Sequence, residues 1–138
     1  MRRAGSGPGV VCLHANASSS SQWRELTEML SGRYTVVAPD CYGSGKSPPM
    51  PSDRMLTLSD EAVFLEPAFA SAGTPFALVA HSYGAAVALI AALARPERVQ
   101  ALALYEPTLF APIDTSHPPP NDADGIRNTA AAAQAALE

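Results

Sequence analysis

The chain reads as an α/β protein, a three-layer sandwich with a central, mostly parallel sheet. Three observations carry that reading. Four short apolar runs, at residues 10–13, 34–38, 76–80 and 99–105, alternate with stretches of helical periodicity. The third run ends in a serine set between small residues and passes at once into an apolar helix, so it reads as strand, sharp turn, helix. Finally, 138 residues with 47% hydrophobic and 16% charged composition are enough to bury one core.

Taken in order, residues 1–9 are rich in glycine and small residues and read as a loop or the end of an edge strand. Val10-Val11-Cys12-Leu13 is the first buried strand, and residues 14–21 are a polar loop. A helix follows from Gln22, with Trp23, Leu26, Met29 and Leu30 on one face and Ser20 or Ser21 as its cap. Gly32 stops it, and residues 34–38 are the second strand.

Pro39-Asp40-Cys41-Tyr42-Gly43-Ser44-Gly45-Lys46-Ser47 is a glycine-rich turn leading to Pro48, Pro49 and Pro51. Its Gly45-Lys46-Ser47 matches the end of a phosphate-binding loop. The first glycine of that motif would fall at Asp40, and prolines stand where the phosphate-holding helix should begin. Nucleotide binding through Lys46 is therefore a minor alternative. Residues 56–72 read as two helical pieces broken near Pro67, begun by Ser59-Asp60-Glu61 and with Val63, Phe64 and Leu65 on the apolar side.

Ala80-His81-Ser82-Tyr83-Gly84 is the centre of the chain. A serine at a tight strand-to-helix turn has its hydroxyl pushed outward, and small residues at 80 and 84 let strand and helix approach closely. The competing account is a serine that simply caps a helix. The helix runs to about residue 94 and is closed by Arg95-Pro96; residues 99–105 are the fourth strand, ending at Glu106-Pro107. Residues 108–125 read as loop, and 126–137 as an alanine-rich helix that would be marginal alone.

The net charge is -4 and no basic cluster is present, which argues against nucleic acid as a partner. The longest apolar run, ten residues at 85–94, is too short to span a bilayer, and residues 10–13 are too short for a signal-peptide core. Cys12 and Cys41 lack metal or redox spacing and read as reduced and buried. A cytoplasmic protein without metal or cofactor is expected.

Three stretches together resemble the alpha/beta-hydrolase family: His14-Ala15-Asn16 followed by Trp23, the turn 39–47, and the elbow 80–84 with alanine for the first glycine. The resemblance covers residues 10–107. It implies an incomplete alpha/beta-hydrolase fold, with residues 1–110 as the N-terminal part of the core and 111–138 as the start of a lid. It implies Ser82 as nucleophile toward a small-molecule ester or other acyl substrate, in the manner of a carboxylesterase. The backbone amides of Asn16 and Tyr83 would be the oxyanion hole, with His14, Ala80 and Gly84 in support. Glu106 is the acid implied by position; its alternative is a solvated strand-end carboxylate. The loop 14–23 is also similar to that of haloalkane dehalogenases, whose chemistry needs an aspartate where this chain has Ser82.

The family's order of nucleophile, acid and histidine would place the base after the last strand. The one histidine beyond Ser82, His117, precedes prolines in the region of the lid. The sequence therefore predicts a truncated hydrolase, inactive as it stands, with a non-catalytic remnant as the alternative. Four strands would form the centre of the sheet, with both edges open to self-association. His81 is expected to point sideways into the packing.

Overall fold

A computed structural model describes residues 1–109, 117, 119–121 and 123–137. The chain divides into two compact units, 1–108 and 109–138.

The first unit carries a five-stranded sheet in the order β1-β3-β2-β4-β5. These strands are β1 (Arg2–Ala4), β2 (Gly9–Leu13), β3 (Thr35–Ala38), β4 (Phe76–His81) and β5 (Val99–Tyr105). All neighbours are parallel except β1, which runs antiparallel to β3. The helices are α1 (Arg24–Leu30), preceded by a 3-10 turn at Ser20–Trp23, then α2 (Leu58–Phe64), α3 (Glu66–Ala72) and α4 (Tyr83–Ala94).

The fifth strand corrects the expected count of four and takes the edge-strand alternative for residues 1–9; the sheet keeps two edges. Residues 2–4 offer no apolar alternation; their pairing comes from β3, whose outer edge they satisfy through Arg2–Ala38, Arg3–Val37 and Ala4–Val36. The chain can turn back into β2 because Gly5 takes φ 77, and a Cβ there would lie 2.2 Å from the Tyr34 carbonyl oxygen. Among the described residues the edge strands are then β1 and β5.

The two sheet faces are packed differently. Val10, Cys12, Val36 and Ala38 face Trp23, Leu26 and Leu30 around α1. Val11, Leu13, Val37 and Leu78 face α2, α3 and α4 through residues including Leu65, Phe69, Ala85 and Val87. This alternation makes β2, β3 and β4 the middle layer of three. Each fully buried aliphatic side chain there stabilises by about 2 kcal/mol before the entropy of ordering is counted. Cys12 and Cys41 are free and buried, and burial pushes both thiols up to about 12, with the Glu61 and Asp40 carboxylates adding to the effect at Cys41.

Local expectations needed adjustment where periodicity met tertiary context. Met29 is 80% and Val63 74% exposed, so neither belongs to the apolar face assigned to it. The cap ahead of α1 is Ser19, whose hydroxyl accepts from the Ser21 amide, rather than Ser20 or Ser21. Thr57, not Ser59, begins α2, in a capping box with Asp60. Pro67 does separate two helices, because at the first turn of α3 its missing amide is not needed.

In the second unit, α5 (Asp124–Leu137) begins two residues earlier than expected. Its start is set by Asn121, whose amide donates to Asp124 Oδ2 and whose Oδ1 accepts from the Ala123 amide. The expected loop 108–125 and lid start lie partly outside the described residues, at 110–116, 118, 122 and 138.

No helix among the described residues is long and apolar enough to cross a membrane.

Candidate active site

In the order β3-β2-β4 the chain leaves β2 toward one side of the sheet and leaves β4 toward the other. Loops diverging from neighbouring parallel strands open a crevice at their C-terminal ends. The loop after β2 begins at His14, and the turn after β4 is Ser82, so the topology places those two stretches side by side.

Ser82 sits at φ 53, ψ -115, a conformation strained for any residue with a side chain. Four bonds hold it there. Its amide donates to the Tyr105 carbonyl at 2.9 Å, extending the β4–β5 ladder by one residue. Its carbonyl accepts from the Ala85 and Ala86 amides and from the Thr108 hydroxyl. The hydroxyl makes no capping bond to α4. Ser82 is thus not the helix-capping serine that the competing account required.

The small neighbours act as expected, against a different partner. A Cβ on Gly84 would lie 2.6 Å from the carbonyl oxygens of both Leu13 and His14. The close approach at Gly84 is therefore between α4 and the end of β2. Ala80 is fully buried.

Tyr83 is the first residue of α4, where backbone amides have no intrahelical acceptor. Asn16 lies in the opposite loop; its Oδ1 accepts from the amide of Ala17, which takes φ 53. His14 is 1% exposed and uses both ring nitrogens: Nε2 accepts from the Cys41 amide at 3.0 Å, which leaves the proton on Nδ1 to donate to the Ala15 carbonyl at 2.7 Å. The ring ties the loop after β2 to the turn after β3.

That turn is closed by Asp40, 5% exposed. Its Oδ1 accepts from the Ser20 amide at 2.7 Å and its Oδ2 from the Lys46 amide, while its carbonyl accepts from the Ser47 hydroxyl. Burial would raise the carboxyl, but hydrogen bonds from the Ser20 amide, the Ser20 side chain and the Lys46 amide bring it down to about 2. A Cβ on Gly45 would lie 2.5 Å from this carboxylate. The Ser20 and Lys46 amides that an anion would need already donate to the Asp40 carboxylate, which argues against the Lys46 reading on geometry.

Two participants were not found by sequence reasoning. Glu61 on α2 is 0% exposed; it accepts from the Tyr42 amide at 2.9 Å and from the Tyr83 hydroxyl at 3.0 Å. A signal was available, since Glu61 falls in the stripe of Leu58, Ala62 and Leu65, which pack on the core. Gln22 accepts from the Ala15 amide through Oε1 and donates to His81 Nδ1 through Nε2, both at 3.0 Å. Nothing in the polar loop singled it out.

The His81 ring lies 4.9 Å from that of Tyr105, and its Nε2 is 3.7 Å from Glu106 Oε2. It borders an open, largely apolar cavity of about 690 Å³ with Trp23, Val79, Ala103 and Tyr105. Glu106 takes φ 46 at the end of β5, and its observed neighbour is His81. In the second unit, the His117 carbonyl accepts from Asn121 Nδ2. Among the described residues no acceptor takes the Ser82 hydroxyl, and no three His, Cys, Asp or Glu side chains gather as a metal site.

The model of the alpha/beta hydrolase family matches residues 10–137. A haloalkane dehalogenase of Agrobacterium fabrum is 36% identical over 106 residues, 76% of this chain and 34% of its own. An epoxide hydrolase structure from Vigna radiata superposes with TM-score 0.69 at 32% identity, covering 74% of this chain and 34% of that one. The thioesterase domain from the curacin biosynthetic pathway gives TM-score 0.70 at 26% identity, covering 83% and 45%. The chain thus spans about a third to under half the length of these relatives.

Proposed function

The chain belongs to the alpha/beta hydrolase family, and from that premise we propose that the native protein is a serine hydrolase acting on a small-molecule ester or related acyl compound through Ser82. The observation that carries the reading is the strained turn at Ser82 with its hydroxyl uncommitted to helix capping. Strain of about 1 to 3 kcal/mol is retained only where surrounding structure enforces it.

The side chain at the elbow selects the chemistry. A hydroxyl that displaced a halide from carbon would form an alkyl ether, which offers water no carbonyl to attack. Attack by Ser82 Oγ on an acyl carbonyl forms an acyl ester instead; the alcohol leaves, water attacks the ester carbonyl, and acid and free serine are regenerated. Acyl transfer therefore suits this chain better than the reaction named for its dehalogenase relative.

The amides of Tyr83 and Asn16 are the proposed oxyanion donors, from α4 and from the loop after β2 respectively. Donors of this kind are each worth about 3 to 4 kcal/mol in the transition state. Glu106 is the proposed acid, at the end of the strand beside the elbow. The base that takes the Ser82 proton is proposed to be supplied by the native protein outside the described residues. The substrate is the proposed partner; no cofactor enters the reaction.

The test is a fluorophosphonate probe and a panel of p-nitrophenyl esters applied to the native gene product and to Ser82→Ala. Loss of labelling and a fall in kcat of about a thousandfold or more are expected. A Ser82→Ala protein that hydrolysed the esters at the original rate would refute the assignment.

A further inference from the structure

We infer that Gln22 is a positioning residue that sets the loop after β2 against the nucleophile elbow; the inference rests on the serine-hydrolase reading above. One amide side chain bonds both stretches: the Ala15 amide, one residue before the proposed donor Asn16, and the His81 ring, one residue before Ser82 and two before the proposed donor Tyr83. These two positions belong to different strands' exits, and no backbone ladder continues between them beyond the Leu13–Ala80 pair. Gln22 closes that gap.

The direction of each bond is fixed by chemistry. The Ala15 amide can only donate, so it takes Gln22 Oε1; Nε2 must then face His81 and donate to Nδ1. His81 accordingly carries its proton on Nε2, the nitrogen that faces Glu106 at 3.7 Å, with the Tyr105 ring alongside. Two like-directed hydrogen bonds therefore run from the oxyanion loop through Gln22 to His81, whose Nε2 faces Glu106. Oxyanion stabilisation depends on placing two donors at hydrogen-bond distance from one oxygen. A side chain that fixes the spacing between their loops acts on the rate without touching substrate.

The variants are chosen so that shape and hydrogen bonding separate. Gln22→Met keeps the length of the side chain and removes both bonds. Gln22→Glu keeps an acceptor for the Ala15 amide and offers His81 an acceptor in place of a donor, so the brace survives if His81 moves its proton to Nδ1. Nitrogen-15 NMR of the imidazole, in alkaline buffer where histidine is neutral, reads that proton directly. The expected pattern is Nε2–H in the unaltered protein, a mixture in Gln22→Met, and Nδ1–H in Gln22→Glu.

The rate of Ser82 labelling by the fluorophosphonate probe in the native gene product is expected to fall about tenfold in Gln22→Met through kcat-type loss, and to recover to within about twofold in Gln22→Glu. Labelling at the original rate in Gln22→Met, or an unchanged His81 tautomer in both variants, would overturn the inference while leaving Ser82 as nucleophile. If the unaltered protein is not labelled at all although the tautomer switches as expected, the serine reading fails, and the catalytic role of Gln22 fails with it.

Discussion

Glu61 and Tyr83 are joined by a 3.0 Å hydrogen bond beside the turn at Ser82, with Glu61 fully buried and its other carboxylate oxygen taking the Tyr42 amide. The phenol of Tyr83 is pushed upward by burial first and by the neighbouring Glu61 carboxylate second. This pair pins the first turn of α4 to α2 and to the turn after β3. Removing the acceptor leaves two half-buried donors without their partner, each costing about 1 to 3 kcal/mol. Glu61→Ala should therefore lose about 3 kcal/mol of stability in urea denaturation, and Glu61→Gln, which keeps an acceptor oxygen, about 1 kcal/mol. Equal losses in the two variants would show that the hydrogen bonds are not what Glu61 contributes.

Ser82 should be replaceable at a gain in stability. Glycine adopts φ 53, ψ -115 without the clash that a Cβ imposes, so Ser82→Gly should raise stability by about 1 kcal/mol while abolishing labelling. A midpoint of denaturation that fell in Ser82→Gly would mean the turn is not strained.

Gly84→Ala should do the reverse. Alanine is the better helix former by about 1 kcal/mol, yet its Cβ would sit 2.6 Å from two backbone carbonyl oxygens at the end of β2. Backbone cannot give way as a side-chain tip can, and a net loss of about 2 kcal/mol is expected. Calorimetry on Gly84→Ala decides it; an unchanged Tm would show that α4 and β2 are further apart than described.

Acid should loosen the turn after β3. The Asp40 carboxyl stands at about 2 in the folded protein against about 3.9 unfolded. A folded-state value below the unfolded one contributes stability that is present above about pH 4 and is lost as pH falls toward about 2. The contribution is about 2 kcal/mol at neutral pH. Asp40→Asn should be less stable at neutral pH, and the difference from the unaltered protein should shrink across that window. A constant difference down to pH 2 would count against the hydrogen-bonded carboxylate as its source.

Much of this architecture was legible in the chain. Residues 10–13 and 76–80 are uninterrupted apolar runs, and strands buried in a parallel sheet have that composition, whereas β5 carries Gln100 and is mostly exposed. Ser82 was legible because a tight elbow demands small residues at fixed offsets. What was not legible depended on distant partners. Arg2–Ala4 has no strand signal of its own and pairs because β3 offers a free edge. Met29 and Val63 satisfy helical periodicity and still lie in solvent, since the sheet covers a narrower face than the pattern suggests.

The sequence by itself determined the parallel α/β layering, the elbow at Ser82 and the loops that flank it, because local apolar patterning and glycine placement act over a few residues. Only the tertiary structure decided that Gln22 joins Ala15 to His81, that Glu61 lies under Tyr83, that Asp40 fills its own glycine turn, and that Gly84 makes room for β2. The Gln22–His81, Glu61–Tyr83 and Gly84–β2 contacts join residues far apart in the chain, and Asp40 also takes the amide of Ser20, twenty residues away. Their donors, acceptors and clearances exist only once the sheet order brings β2, β3 and β4 side by side.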